Sequence, residues 1–301
     1  MTPNSLGLSM NADHRLTLNV ALFLAMLCLI AAFAARPGHG SSDAAETGQS
    51  CTLFDELYFY DKPADLPLTP IHTAYTWDIW GKGPPANDVP PIDFISSGYK
   101  QVVLDGESPD LIAINIEHWV SYNVSSRVLD ETNRKHLAVL RAFRDVFPDA
   151  IIGYYNKGFH PTHGGLDKRA ARTSVLRDWR QTNDGVQPLI DEVDAVFPSL
   201  YTNSADVTFE GWLRKAKVYM EEARRIADGK PIYPYISPFL ILDYPTPIPT
   251  EMWRQQLEFL SRNADGAVIW THRGRSKRTD WDENAAWWQE TLAFIHACQS
   301  E

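Results

Sequence analysis

The stretch Leu111-Ile112-Ala113-Ile114-Asn115-Ile116-Glu117-His118-Trp119 decides how the rest of the chain is read. Its first half is an unbroken apolar run, which suits a strand buried on both faces of a parallel sheet. Polar residues then take over within a few positions. Side chains alternate along a strand, so Asn115, Glu117 and Trp119 are predicted on one face and Ile114, Ile116 and His118 on the other. A carboxylate at the polar C-terminal end of a buried strand stands where a (β/α) barrel keeps its catalytic acid. The plainer reading makes Glu117 the first solvated residue after the strand.

Working outward, Asp130 to Phe147 has helical periodicity and stops at Pro148. Strands are predicted at Ile151–Tyr155, Ala195–Tyr201, Ile232–Ser237 and Gly266–Trp270. Between and after them, helical patterns cover Thr173–Trp179, Val186–Ile190, Phe209–Asp228 (closed by Gly229), Pro249–Asn263 and Glu283–Cys298. Upstream, Ile71–Trp77 alternates like a first strand and ends at Asp78, and Tyr99–Leu104 is a candidate second strand. Leu53–Tyr60 reads only as a short aromatic segment, and Lys62–Pro70 as an extended lead-in. Strands alternating with helices over about 240 residues predict a distorted TIM-like (β/α) barrel of about seven or eight parallel strands, filling residues 51–301. No glycine-rich nucleotide fingerprint follows any strand, which disfavours a dinucleotide-binding fold.

Residues 1–35 read as a signal peptide or signal anchor, because Arg15 precedes the apolar run Val20–Ala35 and Ala32-Phe33-Ala34 has the small-x-small form of a cleavage site. Residues 36–50 are small and polar, a linker with nothing to pack. The expected location is secreted or periplasmic, with membrane attachment through residues 16–35 only if the segment stays uncleaved. Beyond that segment the cysteines are Cys51 and Cys298, which in an exported protein are expected to pair. The net charge of −10 argues against a nucleic-acid partner.

The predicted strand exits carry Asp78, Asn115, Glu117, Tyr154 to Asn156, Tyr201, Asn203, Tyr235, Ser237, Trp270 and His272. In a barrel these positions converge on one mouth. They hold carboxylic acids among aromatics and amides, without a cysteine or a serine matched to a base. His160, His163 and Asp167 lie in a Gly/Pro-containing loop where their spacing fixes no geometry, so neither metal nor cofactor is expected. Asn123-Val124-Ser125 matches a glycosylation sequon, a pattern frequent by chance. The basic run Arg273, Arg275, Lys277 and Arg278 is either a solvated loop or a lining of the mouth that meets an anionic sugar or phosphate.

Together these motifs resemble the hyaluronidase family of glycoside hydrolases. That family's catalytic strand carries Asp-x-Glu with a nearby tryptophan, and here Asn115-Ile116-Glu117-His118-Trp119 is the counterpart. Pro198-Ser199-Leu200-Tyr201 matches a Pro-Ser-x-Tyr strand, Val268-Ile269-Trp270 an aliphatic-Trp ending, and Gly153-Tyr154-Tyr155 a Gly-aromatic-aromatic strand. The resemblance implies a distorted barrel and a glycan substrate containing N-acetylhexosamine. It also implies retention assisted by the substrate's own acetamido group, with Glu117 as general acid/base. Tyr201 and Trp270 would form the acetamido pocket, and Trp119, Tyr201 and Trp270 would enclose Glu117. Tyr154 and Asp78 join them as substrate-binding residues. The departure is Asn115 in place of Asp. An amide cannot take up the acetamido proton, but its carbonyl oxygen still accepts the N–H. Some endo-acting N-acetylglucosaminidases of another barrel family are similar in using Asn-x-Glu. Two alternatives stand beside this reading: a conventional carboxylate pair, with Asp78, Asp243 or Asp280 opposite Glu117, and a catalytically inactive glycan-binding barrel.

Overall fold

Short apolar strands alternating with amphipathic helices settle into two parallel sheets in the computed structural model, which describes residues 50–80, 87–90, 109–159 and 173–300. One sheet holds β1 (Leu53–Glu56), β2 (Thr69–Pro70), β7 (Tyr235–Ile236) and β8 (Ala267–Trp270), in the order β2-β1-β8-β7. The other runs β3 (His72–Tyr75), β4 (Leu111–Asn115), β5 (Ile151–Tyr155) and β6 (Ala195–Phe197) in sequence order. The helices are α1 (Thr76–Trp80), α2 (Ser126–Val146), α3 (Thr173–Asp184), α4 (Gln187–Ile190), α5 (Phe209–Ala227), α6 (Thr250–Ser261) and α7 (Ala286–Gln299). Residues 1–49, the candidate strand Tyr99–Leu104, and His160, His163 and Asp167 lie outside the described residues.

Each strand sorts its side chains by parity. Phe54, Leu111, Ala113, Ala195, Phe197, Tyr235 and Val268 turn to one side and pack together. Their neighbours Ile112, Ile114, Ile152, Val196, Ile236 and Ile269 turn the other way and join Val139, Phe143, Trp212, Ala216 and Trp253 of the helices. Both faces are thus apolar, which is why the strands read as continuous hydrophobic runs. Helix α5 shows local sequence control at both ends. Thr208 Oγ1 accepts a hydrogen bond from Gly211 N at 3.2 Å, and the helix stops where Asp228 takes up a left-handed conformation.

Of the expected distorted barrel, the structure shows two parallel four-stranded sheets with helices, and no continuous ladder closes them among the described residues. Isolated parallel bridges, Val196 with Ile232 and Ser199 with Tyr235, connect the β6 edge to the β7 edge. Among the described residues no ladder joins β1 to β3; side chains span that seam, with Tyr75 Oη donating to Glu56 Oε1 at 3.1 Å. Two expectations are corrected. Within the expected short aromatic segment Leu53–Tyr60, Leu53–Glu56 is a strand, hidden because Asp55 and Glu56 break its apolar run. The strand expected to reach Trp77 ends at Tyr75, so Trp77 and Asp78 sit on α1. Cys51 and Cys298 form a disulfide across 247 residues, with Cα atoms 5.9 Å apart.

Gly153 is fixed by packing. A Cβ there would lie 2.1 Å from the Ala195 carbonyl oxygen and 2.7 Å from the Phe197 ring. Because the obstacle is the backbone of the adjoining strand, no rotamer relieves it. Gly153→Ala is therefore expected to lower stability by about 1–3 kcal/mol or more, read by chemical denaturation.

Candidate active site

The strand C-termini open into a cleft of about 910 Å³. Tyr75 ends β3, Asn115 ends β4, Tyr155 ends β5 and Trp270 ends β8, and all four line it, together with Glu117, Tyr201 and Tyr235. Glu117 is the single carboxylate among the described lining residues. It follows the end of β4 and is exposed to the cleft. Two residues earlier, Asn115 Oδ1 is buried without a hydrogen-bond donor among the described residues. A buried acceptor without a donor costs free energy of about 1–3 kcal/mol, so the site gains from a ligand that brings an N–H or O–H.

Aromatic rings form much of the wall. Trp270 and Tyr201 have centroids 5.3 Å apart, Tyr201 and Tyr155 6.4 Å, and Tyr155 meets Tyr235 edge-on at 4.9 Å. The Trp270 indole is held by its Nε1–H, which donates to Tyr75 Oη at 2.9 Å. At the rim, Trp77 lies parallel to Tyr75, with centroids 4.8 Å apart, and is 53% exposed. The Arg273 guanidinium sits 5.1 Å from the Tyr75 ring centroid and 5.6 Å from that of Trp77.

Several predicted residues are placed differently from expectation. Tyr154 is not in the cleft: it is fully buried on the helix side, its hydroxyl donating to the His136 carbonyl at 2.7 Å. Its neighbour Tyr155 takes the cleft position instead, because adjacent residues of a strand face opposite ways. Trp119 also turns away, packing edge-on against His136 at 5.2 Å and Trp80 at 5.2 Å. Alternation places it with Glu117 only while the strand continues, and β4 ends at Asn115. Glu117 is consequently not enclosed by Trp119. Asp78 does not line the cleft; it holds Arg273, which does, through contacts of 2.6 and 3.2 Å. Of the basic run, Arg273 faces the cleft while Arg275 and Lys277 are exposed. Asp243 accepts from Thr246 Oγ1 at 3.0 Å, and neither it nor Asp280 is among the lining residues.

Sequence reasoning missed Tyr75, Trp77 and Glu56, and named Tyr155 only among the strand exits, choosing Tyr154 as the binding residue. Glu56 closes β1 directly opposite Trp270 in the β1–β8 register and is only 2% exposed. Burial pushes its carboxyl up to about 7, against the opposing pull of hydrogen bonds from Tyr58, Thr73 and Tyr75 and of the Arg273 charge. Burial likewise raises Tyr155 to about 12; its hydrogen bond with Ser199 opposes this, and the Glu117 charge adds to it. Among the described residues no group of three or more His, Cys, Asp or Glu is arranged to hold a metal ion.

No known family matches the sequence, and no curated protein matches it. Among solved structures, bee venom hyaluronidase in complex with a hyaluronic acid tetramer is similar with a TM-score of 0.51 and 17% identity, over 81% of this chain and 88% of that one. A monoclinic crystal structure of bee venom hyaluronidase is similar with a TM-score of 0.46 and 18% identity, over 70% and 77% of the two chains. The endo-β-1,4-mannanase of Thermotoga petrophila gives 0.46 and 17%, over 77% and 58%. The likeness is one of fold.

Lys157 lies behind Glu117, almost fully buried, its Nζ donating to the Trp119 carbonyl at 3.1 Å. Burial lowers it from 10.5 to about 8, partly offset by the Glu117 charge. A lysine depressed in the folded state binds fewer protons there than when unfolded, so stability rises with pH through that interval. Lys157→Met is expected to remove this gain. The wild type should gain stability relative to the variant between about pH 8 and 10.5, measured by denaturation across that range.

Proposed function

We propose that the protein is an exported, retaining glycoside hydrolase that cleaves a glycan containing N-acetylhexosamine by substrate assistance. The observation that carries this reading is the pairing of Glu117, the single cleft carboxylate among the described residues, with the buried Asn115 Oδ1, which has no donor among them. Glu117 gives its proton to the glycosidic oxygen as the leaving group departs. The acetamido carbonyl oxygen of the substrate attacks the anomeric carbon, and Asn115 Oδ1 accepts the acetamido N–H, holding the amide in line. Glu117, now ionised, takes a proton from the water that opens the cyclic intermediate, so the anomeric configuration is retained. Such chemistry needs one enzymic proton carrier where most glycosidases need two.

A conventional carboxylate pair is disfavoured, because Asp78 is committed to Arg273 and neither Asp243 nor Asp280 lines the cleft. An open cleft around Glu117 also favours turnover over a filled, inactive barrel. The aromatic wall of Tyr155, Tyr201 and Trp270 suits the apolar faces of a sugar, and a protein of similar fold was crystallised with a hyaluronic acid tetramer. The partner is accordingly a polysaccharide or glycan. Cleavage of residues 1–35 would leave 51–301 as the catalytic domain in a secreted or periplasmic location. The Cys51–Cys298 bond fits an oxidising compartment, and no helix among the described residues is long and apolar enough to cross a membrane.

Glu117→Gln should lower kcat by about 10²–10⁴-fold with the folded state intact by circular dichroism, assayed on acetamido-containing polysaccharides with the anomeric configuration of the product followed by NMR. Trp77 offers an exposed ring at the cleft rim, so Trp77→Ala should raise KM for oligosaccharides by about three- to tenfold with kcat little changed, in steady-state kinetics.

A further inference from the structure

Beneath the aromatic wall, Glu56 gathers groups that belong to the cleft. Its Oε1 accepts from Tyr58 Oη at 2.6 Å and from Tyr75 Oη at 3.1 Å. Thr73 also hydrogen-bonds to it, and Thr73 Oγ1 shares a hydrogen bond of 2.8 Å with Tyr235 Oη. Tyr75 Oη in turn accepts the Trp270 indole N–H at 2.9 Å. Thr73, Tyr75, Tyr235 and Trp270 all line the cleft, whereas Glu56 does not. We propose that Glu56 is a positioning residue of this site: its carboxylate aims the Tyr75 hydroxyl inward and so fixes the Trp270 indole that walls the cleft.

The chemistry of the groups gives the arrangement its direction. An ionised carboxylate only accepts, so the Tyr58, Tyr75 and Thr73 hydroxyl protons can all be directed at Glu56. Tyr75 Oη then keeps lone pairs for the indole N–H, and none of these protons faces a ligand. Protonated Glu56 becomes a donor. Neutralising the carboxyl weakens the Tyr75 Oη–H bond to Oε1, or reverses it when the proton sits on Oε1, and so changes the Tyr75 oxygen that accepts the Trp270 indole N–H. Burial places this change near neutral pH. Tyr58, Tyr75, Tyr235 and Arg273 are the titratable or charged groups acting on Glu56. The tyrosines stay protonated there, since burial raises each of them.

The test uses the intact protein labelled with ¹⁵N at the tryptophan indoles. The Trp270 Nε1–H resonance, assigned by Trp270→Phe, is followed between about pH 5 and 9. It should titrate with a midpoint near 7. His272, whose ring lies 5.8 Å from Trp270, is controlled by His272→Gln, which should leave the titration in place. Glu56→Gln, nearly isosteric and unable to ionise, should abolish it, and Tyr75→Phe should abolish it by breaking the link. An indole that does not titrate in the wild type, or titrates unchanged in Glu56→Gln, would overturn the assignment. The readout needs no substrate, so it stands apart from the hydrolase reading on which the site's use rests. If Glu117-dependent turnover is found, Glu56→Gln should raise KM severalfold and flatten its pH dependence around neutrality, and an unchanged KM profile counts against the role.

Discussion

Strand pairing in fixed register dictates where the strand-borne side chains of the cleft stand. Thr73 pairs with Ala113, Ala113 with Gly153, and Gly153 with Ala195, so one level across the second sheet is built from small residues. Two positions further along, the same parity delivers Tyr75, Asn115 and Tyr155. In the first sheet, that parity brings Glu56 beside Trp270. A tight lower level and a bulky, polar upper level make a cleft with a packed floor. The side chains that line it are held by backbone ladders and not by loops alone, which suits a site that must hold groups within fractions of an ångström.

Much of this was legible in the chain because burial on both faces leaves unmistakable apolar runs. Ile151–Tyr155 is found residue for residue, and the helices at Phe209–Ala227 and Thr250–Ser261 fall where their periodicity places them. What escaped was governed by contacts between distant segments. Tyr154 and Tyr155 are chemically identical and adjacent, so choosing which one faces the cleft requires the register with β6. Trp119 follows Glu117 at strand spacing, yet the strand has already ended and the ring packs under α2. Asp55 and Glu56 interrupt the apolar pattern of β1. Their tolerance depends on Lys62, 2.7 Å from Asp55, and on tyrosine hydroxyls from two segments, none of which a local pattern announces.

Buried polar groups divide here into satisfied and waiting ones. Glu56 is surrounded by donors and belongs to the scaffold. Asn115 Oδ1, one wall away, has none among the described residues and belongs to whatever enters the cleft. The contrast between a carboxylate fully occupied by its own protein and an amide left open is the most specific statement the site makes about its ligand. It asks for a donor at Asn115.

The Asp78–Arg273 pair, described above as the reason Asp78 is absent from the cleft lining, also determines how the cleft meets an approaching molecule. Its two charges nearly cancel at distances beyond the pair itself, and salt shortens the reach of what remains to about 8 Å. On that side of the mouth an approaching ligand meets a compact dipole clasped among aromatic rings. An uncharged ligand is therefore met there by ring faces and not by attraction from afar, and its encounter rate should vary little with ionic strength even on a protein whose overall charge is −10.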